Sequence, residues 1–96
     1  MIRNSATTAT ADLFNGVDSK AAREFPRTTW AAARRKLDMI NAATNVTDPR
    51  VPPGNMLEAL QGDLKGNCSI RINVRFRIVF KFAADVASDV YIVDYH

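Results

Sequence analysis

The sequence predicts an α+β fold, with two or more N-terminal helices packed on a small, mostly antiparallel C-terminal sheet. Apolar residues recur at spacings of three and four in the first half and at alternate positions in the second. Between the two regimes lies TNVTDPRVPPGN, whose prolines, glycine and Asx residues propagate neither a helix nor a ladder. Helices first and strands afterwards make α+β rather than alternating βαβ units. A chain of 96 residues, 47% of them hydrophobic, supports one core, so residues 1–96 are expected to form a single domain.

The opening MIRNSATTATADLF lacks the apolar segment and cleavage site of a signal peptide, and no apolar run approaches the roughly 20 residues that span a bilayer. The expected location is the cytoplasm, with no membrane partner. SATTAT is polar enough to be a loosely held lead-in. A short helix follows near Thr8 to Asn15, with Leu13 and Phe14 as its apolar residues and Gly16 placed to end it in a left-handed conformation. Pro26 suits the first turn of a longer helix, in which Trp30, Ala33, Leu37 and Ile40 make one buried stripe. Arg34, Arg35 and Lys36 are expected on the other side, either as a solvated face or as a surface for phosphate or a partner.

After the connecting loop, Leu57 to Leu60 is short enough for an edge strand, Cys68 to Ile72 and Phe76 to Phe82 alternate, and Val90 to Tyr95 is β-branched and aromatic. Cys68 is the only cysteine and sits in an apolar strand pattern, so it reads as a core thiol rather than a nucleophile. The net charge of +3 is unevenly placed: residues 1–56 carry eight Lys/Arg against five Asp/Glu, and residues 57–96 carry five of each. That balance suits a polyanionic partner without requiring one.

Register decides which side chains share a face. A two-residue turn between Asn73 and Phe76 would put Arg71 on the face of Phe76, Ile78 and Phe80. A three-residue loop of Asn73, Val74 and Arg75 pairs Ile72 with Phe76 and Ile70 with Ile78, which leaves one face wholly apolar. That register sets Arg71 directly across from Arg77 on the opposite face. Like charges so placed repel by a few tenths of a kcal/mol. Either Asp94, Asp63 or Glu58 ties the arginines into an ion-pair network, or the pair is an anion site, for which the planar guanidinium fork suits a phosphate.

Asp94 and His96 are two apart on a strand and share a face. Histidine titrates nearest neutral pH, so a positioned imidazole can give or take a proton. Alternation sets this pair on the side of Val90 and Ile92, so the strand must bulge or run past the core before the pair is accessible. Arg77 to stabilise phosphorane charge, His96 for proton transfer, and Glu58 or Asp94 as a second acid/base are the ingredients for attack of a ribose 2′-hydroxyl on its neighbouring phosphate. That reaction needs no metal. One histidine, one cysteine and scattered carboxylates fit no zinc spacing, no Gly-rich phosphate loop or GxSxG elbow is present, and no cofactor is expected.

PPGNMLEALQGDLKG, CSIRINVRFRIVFKF and the closing VYIVDYH together resemble the HigB branch of the RelE-like toxins of bacterial toxin–antitoxin systems. The likeness is close from about Pro52 to His96, and the combination of LxGxxxG, SIRxNxxxRI and VDYH is specific. It implies helices on a small curved sheet and a ribosome-dependent endoribonuclease acting on messenger RNA. By that resemblance Arg77, Asp94 and His96 match the family's catalytic positions, and Glu58 stands where relatives carry an active-site histidine. Arg71, Lys65, Arg75 and Gln61 are the expected RNA-binding residues, Gln61 replacing a family lysine and Phe76 the usual tryptophan. The resemblance further implies a cognate helix-turn-helix antitoxin of the HigA kind, the ribosome and messenger RNA as partners, and DNA only indirectly through the antitoxin. Two other readings share the fold: a ParE-like contact inhibitor that cleaves nothing, and a catalytically weakened toxin that survives as an antitoxin-binding partner.

Overall fold

The computed structural model of the chain describes residues 1–43 and 55–94. The expected connecting loop, apart from its last residue Asn55, and the tail residues Tyr95 and His96 lie outside the described residues.

Helix α1 (Thr8–Asn15) begins where Thr7 Oγ1 accepts from the Thr10 amide, and it stops at Gly16, whose φ of 74° is left-handed. Glycine enters that region without a steric penalty. A β-carbon there would also meet Arg34 Nη2 at 3.3 Å. Helix α2 (Arg27–Ala42) starts directly behind Pro26, whose carbonyl accepts from Thr29 N at 2.8 Å. Ala33, Leu37 and Ile40 are fully buried as expected, while Trp30 is half-buried and its indole donates to Phe25 O at 2.9 Å.

The basic triplet is not one solvated face. Arg34 and Arg35 are exposed, but Lys36 is only 8% exposed. The reason is helical geometry: Ala33, Lys36, Leu37 and Ile40 stand at i, i+3, i+4 and i+7, so Lys36 belongs to the buried stripe. Its ammonium donates to Asn55 Oδ1.

Strands β1 (Glu58–Ala59), β2 (Asn67–Arg71), β3 (Phe76–Ala83) and β4 (Val86–Asp94) form an open antiparallel sheet in the order β1-β2-β3-β4. The expected edge strand is reduced to its two central residues. The three-residue loop is present: Ile70 pairs with Ile78, Arg71 with Arg77, and Ile72 N donates to Phe76 O at 2.9 Å. Asn73 Oδ1 holds that loop by accepting from Arg75 N and Phe76 N, each at 2.9 Å. Such local side-chain bonds are why asparagine favours turns.

Strand β4 starts four residues before the expected Val90. Ala84 and Asp85 make the β3–β4 turn with φ of 51° and 67°, values usually supplied by Asn-Gly or Asp-Gly, so the turn carries no sequence signature. Asp89, at φ 51°, then forms a bulge, and the register shifts by one between Val79 and Lys81. The bulge resets parity. Ala87 before it, and Val90 and Ile92 after it, all face the helices, whereas an unbroken ladder from Ala87 would have turned Tyr91 and Val93 inward.

The helices cover the face made by Ile70, Ile72, Phe76, Ile78, Phe80, Ala87, Val90 and Ile92. Phe25 packs edge-on against Phe76, with ring centroids 5.6 Å apart. Cys68 lies opposite Phe80 on this face, half-buried, and burial pushes its thiol up from the ordinary range. The N-terminal lead-in is tied down rather than loose. Ile2 and Ser5 bridge Ala87 and Val90 in parallel, Arg3 N and Ala6 N donate to Ala87 O and Val90 O at 2.7 and 2.8 Å, and Thr10 Oγ1 accepts from Ile92 N. An exposed edge with unpaired N–H and C=O groups invites intermolecular pairing, and the lead-in covers it. Among the described residues no helix is long and apolar enough to cross a membrane.

Leu37→Ala removes a side chain buried to 0% exposure, and the expected cost is about 2–5 kcal/mol, or roughly 10 °C or more in Tm by thermal melting. A second expectation concerns the covered edge. Asn4 Nδ2 donates to Asp89 Oδ1 at 2.9 Å, and this bond, with Lys81 nearby, holds the Asp89 carboxyl below the usual carboxylate range. A depressed pKa contributes stability above the ordinary value and loses it as pH falls through the depressed one. Amide protection at Ala87 and Val90 should therefore fall on acidification, and Asn4→Ala should reduce that dependence, Lys81 supplying what remains. Equal protection in both proteins across pH would contradict this account of the edge.

Candidate functional site

Strand parity sends Glu58, Ser69, Arg71, Arg77, Val79, Tyr91 and Val93 to the sheet face away from the helices, because each pairs with another member of the set and alternates with a core residue. On this face Met56, Glu58, Arg71, Asn73, Val74 and Arg77 line an open pocket of about 260 Å³.

Arg77 is the fixed centre of the pocket. It is 5% exposed; its Nε donates to Ser69 Oγ at 2.9 Å, and its Nη2 donates to Met56 O at 2.6 Å and Ser69 O at 3.3 Å. Glu58 Oε2 lies 4.0 Å from the same nitrogen and, among the described residues, is the carboxylate that offsets its charge. A buried guanidinium needs such a set of acceptors, since its desolvation is costly without them. Arg71, half-buried across the ladder, donates from Nη1 to the soft Met56 Sδ at 3.4 Å, and among the described residues no carboxylate forms an ion pair with it. Of the three carboxylates weighed for the pair, only Glu58 reaches it. The result is a concave site with two guanidinium groups and one carboxylate, able to hold a phosphodiester and to accept a proton beside it.

The other expected residues fall elsewhere. Asp94 lies opposite Phe76, hence on the helix-side face, just beyond the last core residues. Of the two alternatives for the end of β4, the strand runs past the core: the bulge at Asp89 precedes Val90 and leaves Asp94 on the face of Val90 and Ile92. Arg75 stacks over the Phe76 ring and binds Asp94 Oδ2 through Nε and Nη2 at 3.0 and 2.9 Å. The turn thus separates two cationic groups, Arg71 and Arg77 on one face, and Arg75 with its carboxylate on the other. Lys65 is exposed in the turn before β2. Gln61 is exposed on a second depression of the outer face, about 240 Å³, with Leu60, Leu64, Ser69, Val79, Tyr91 and Val93. His96 is outside the described residues.

Two contributors escaped the sequence reading. Ser69 was legible in principle, because the register that opposes Arg71 and Arg77 also puts a hydroxyl one step along the same face. Met56, at φ 49° and exposed, lies in an irregular segment where no periodicity points to it.

A family model described as the RelE-like toxin of type II toxin–antitoxin system HigB matches residues 12–96. Toxin HigB-1 of Vibrio cholerae serotype O1 is 43% identical over 75 residues, which is 78% of this chain and 79% of that protein. An uncharacterised protein of Haemophilus influenzae is 35% identical over 69 residues, covering 72% of this chain and 68% of its own length. A match across most of the chain, on an α+β scaffold with an arginine-lined outer face, makes this protein a member of the HigB family of RelE-like toxins of type II toxin–antitoxin systems.

Proposed function

We propose that the chain is a ribosome-dependent endoribonuclease that cleaves messenger RNA by attack of a ribose 2′-hydroxyl on the adjacent phosphate, and that a HigA-type helix-turn-helix antitoxin neutralises it. The supporting observation is the pocket in which Arg71 and Arg77 oppose each other across the β2–β3 ladder with Glu58 beside them.

In this reading the scissile phosphate lies against the two guanidinium groups. Arg77, already locked by Ser69 and Met56, stabilises the charge that grows on the phosphorane without reorganising. Glu58 takes the proton from the 2′-hydroxyl, O2′ bonds to phosphorus, the bond from phosphorus to O5′ breaks, and His96 protonates the leaving oxygen. The products are a 2′,3′-cyclic phosphate and a 5′-hydroxyl. The choice of Glu58 over Asp94 as base follows from faces: Glu58 shares the pocket with Arg77, whereas Asp94 is engaged by Arg75 on the other side. The ribosome contributes by fixing the message in a reactive geometry. Lys65, Gln61 and the exposed Arg34 and Arg35 add contacts to RNA or to an acidic antitoxin, in either case strongly dependent on salt.

The test is induced expression followed by mapping of new 5′ ends on messenger RNA. The intact protein should give ribosome-phased cuts. Glu58→Gln and His96→Ala should each slow cleavage about 10²- to 10⁴-fold, the usual range for a general acid or base. Arg71→Ala should slow it about ten- to a hundredfold while leaving Tm within a few degrees. Arg77→Ala should also lower stability by about 1–3 kcal/mol, because Met56 O and Ser69 lose their donor. Growth arrest that persists in all four variants without new RNA ends would instead assign the protein as a contact inhibitor, and no arrest with the intact chain would make it a weakened toxin.

A further inference from the structure

Lys36 is the one member of the α2 basic run that is withdrawn from water, and no carboxylate among the described residues pairs with it. Burying an ammonium without a counter-charge is unfavourable. Its desolvation, with Arg35 adding in the same direction, lowers its pKa from the ordinary lysine value. What it holds is the Asn55 side chain, which is itself 0% exposed. The other end of that amide donates to the sulfur of Met39, one turn further along α2, at 3.5 Å. The helix layer therefore grips both ends of one amide.

The next residue is Met56, in a left-handed conformation that a β-carbon disfavours. Its carbonyl accepts from Arg77 Nη2 at 2.6 Å and its sulfur accepts from Arg71 Nη1 at 3.4 Å. Met56 also lines the pocket, two residues before Glu58. We infer that Lys36 is a positioning residue for the arginine pocket: through Asn55 it clamps Met56 in its left-handed turn, and Met56 in turn orients Arg77 and Arg71. The inference rests on the proposed function only for its catalytic consequence. The clamp itself is a property of the fold, reaching from the helix layer through the edge of the sheet to its outer face.

The experiment compares the full chain with Lys36→Met and with Lys36→Met/Asn55→Leu. Lys36→Met/Asn55→Leu removes the Lys36–Asn55 bond together with the contact to Met39 Sδ, so the double variant should melt lower than the wild type but stay folded at the temperature of the measurement. Exchange of the Arg77 Nη2–H protons, the donors to Met56 O, followed by ¹⁵N NMR at low temperature, should nevertheless become about tenfold faster, the size expected for the loss of one orienting bond. On programmed ribosomes kcat should fall by a similar factor with KM within about twofold, the split expected when an interaction realised at the transition state is lost. Wild-type Arg77 exchange in a folded double variant would overturn the inference. Unfolding of both variants would also overturn it, assigning the clamp to stability alone. If the intact chain cleaves no RNA, the nuclease reading fails while Arg77 exchange still decides the role of Lys36.

Discussion

A slip of one residue of β2 against β3 would carry Arg71 onto the core face beside Phe76 and Ile78, away from Arg77, and turn Ile70 out to water. The constraint that prevents it is small and local: Asn73 Oδ1 accepts from the amides of Arg75 and Phe76 and so sets a three-residue loop. The rest of the outer face is assembled around that register by the neighbouring ladders. Ser69 stands where its hydroxyl meets Arg77, Glu58 pairs opposite Ser69, and Val93 flanks Arg77 from β4.

Under the proposed function, Arg77 joins stability to chemistry. Its guanidinium is nearly withdrawn from solvent and ties the segment before β1 to β2 and β3 through Met56 and Ser69. A cation so held has little freedom left to lose when a phosphate arrives, which is the advantage of preorganised charge. The same bonds make it part of the scaffold, so its removal is not a clean test of catalysis. Arg71, half-buried and bonded to a thioether rather than a carboxylate, is the more separable member of the pair. The cross-strand repulsion is offset largely on one side, by Glu58 and the oxygens around Arg77.

How much was legible in the chain depended on whether a feature was periodic. The α+β order, both helices, the Gly16 stop, the hairpin register and the opposed arginines all followed from spacing and turn chemistry. Features lacking that signal were misread. The turn at Ala84–Asp85 adopts positive φ without glycine or asparagine, so β4 was expected to begin too late. The bulge at Asp89 likewise has no sequence signal, although Val90, Ile92 and Asp94 share one face as their alternation predicts. Lys36 is expected with Arg34 and Arg35 opposite the buried stripe, as a solvated face or a binding surface, yet its place at i+3 from Ala33 belongs to the stripe, a position lysine rarely takes. SATTAT looked loose because its ties are backbone bonds to a strand edge more than eighty residues away, which no local pattern reveals. Asp94, expected to act together with Arg77, is held by Arg75 on the opposite face.

In the proposed function Arg71 and Arg77 form one phosphate-binding site on the outer face of the sheet. That pairing is tested most directly by titrating the chain with inorganic phosphate and following all arginine Nε–H resonances by ¹⁵N NMR. The account expects the Arg71 and Arg77 signals to move together with one Kd, and Arg71→Ala to weaken the response at Arg77. Shifts confined to Arg34 and Arg35 on α2, with Arg71 and Arg77 unmoved, would contradict it.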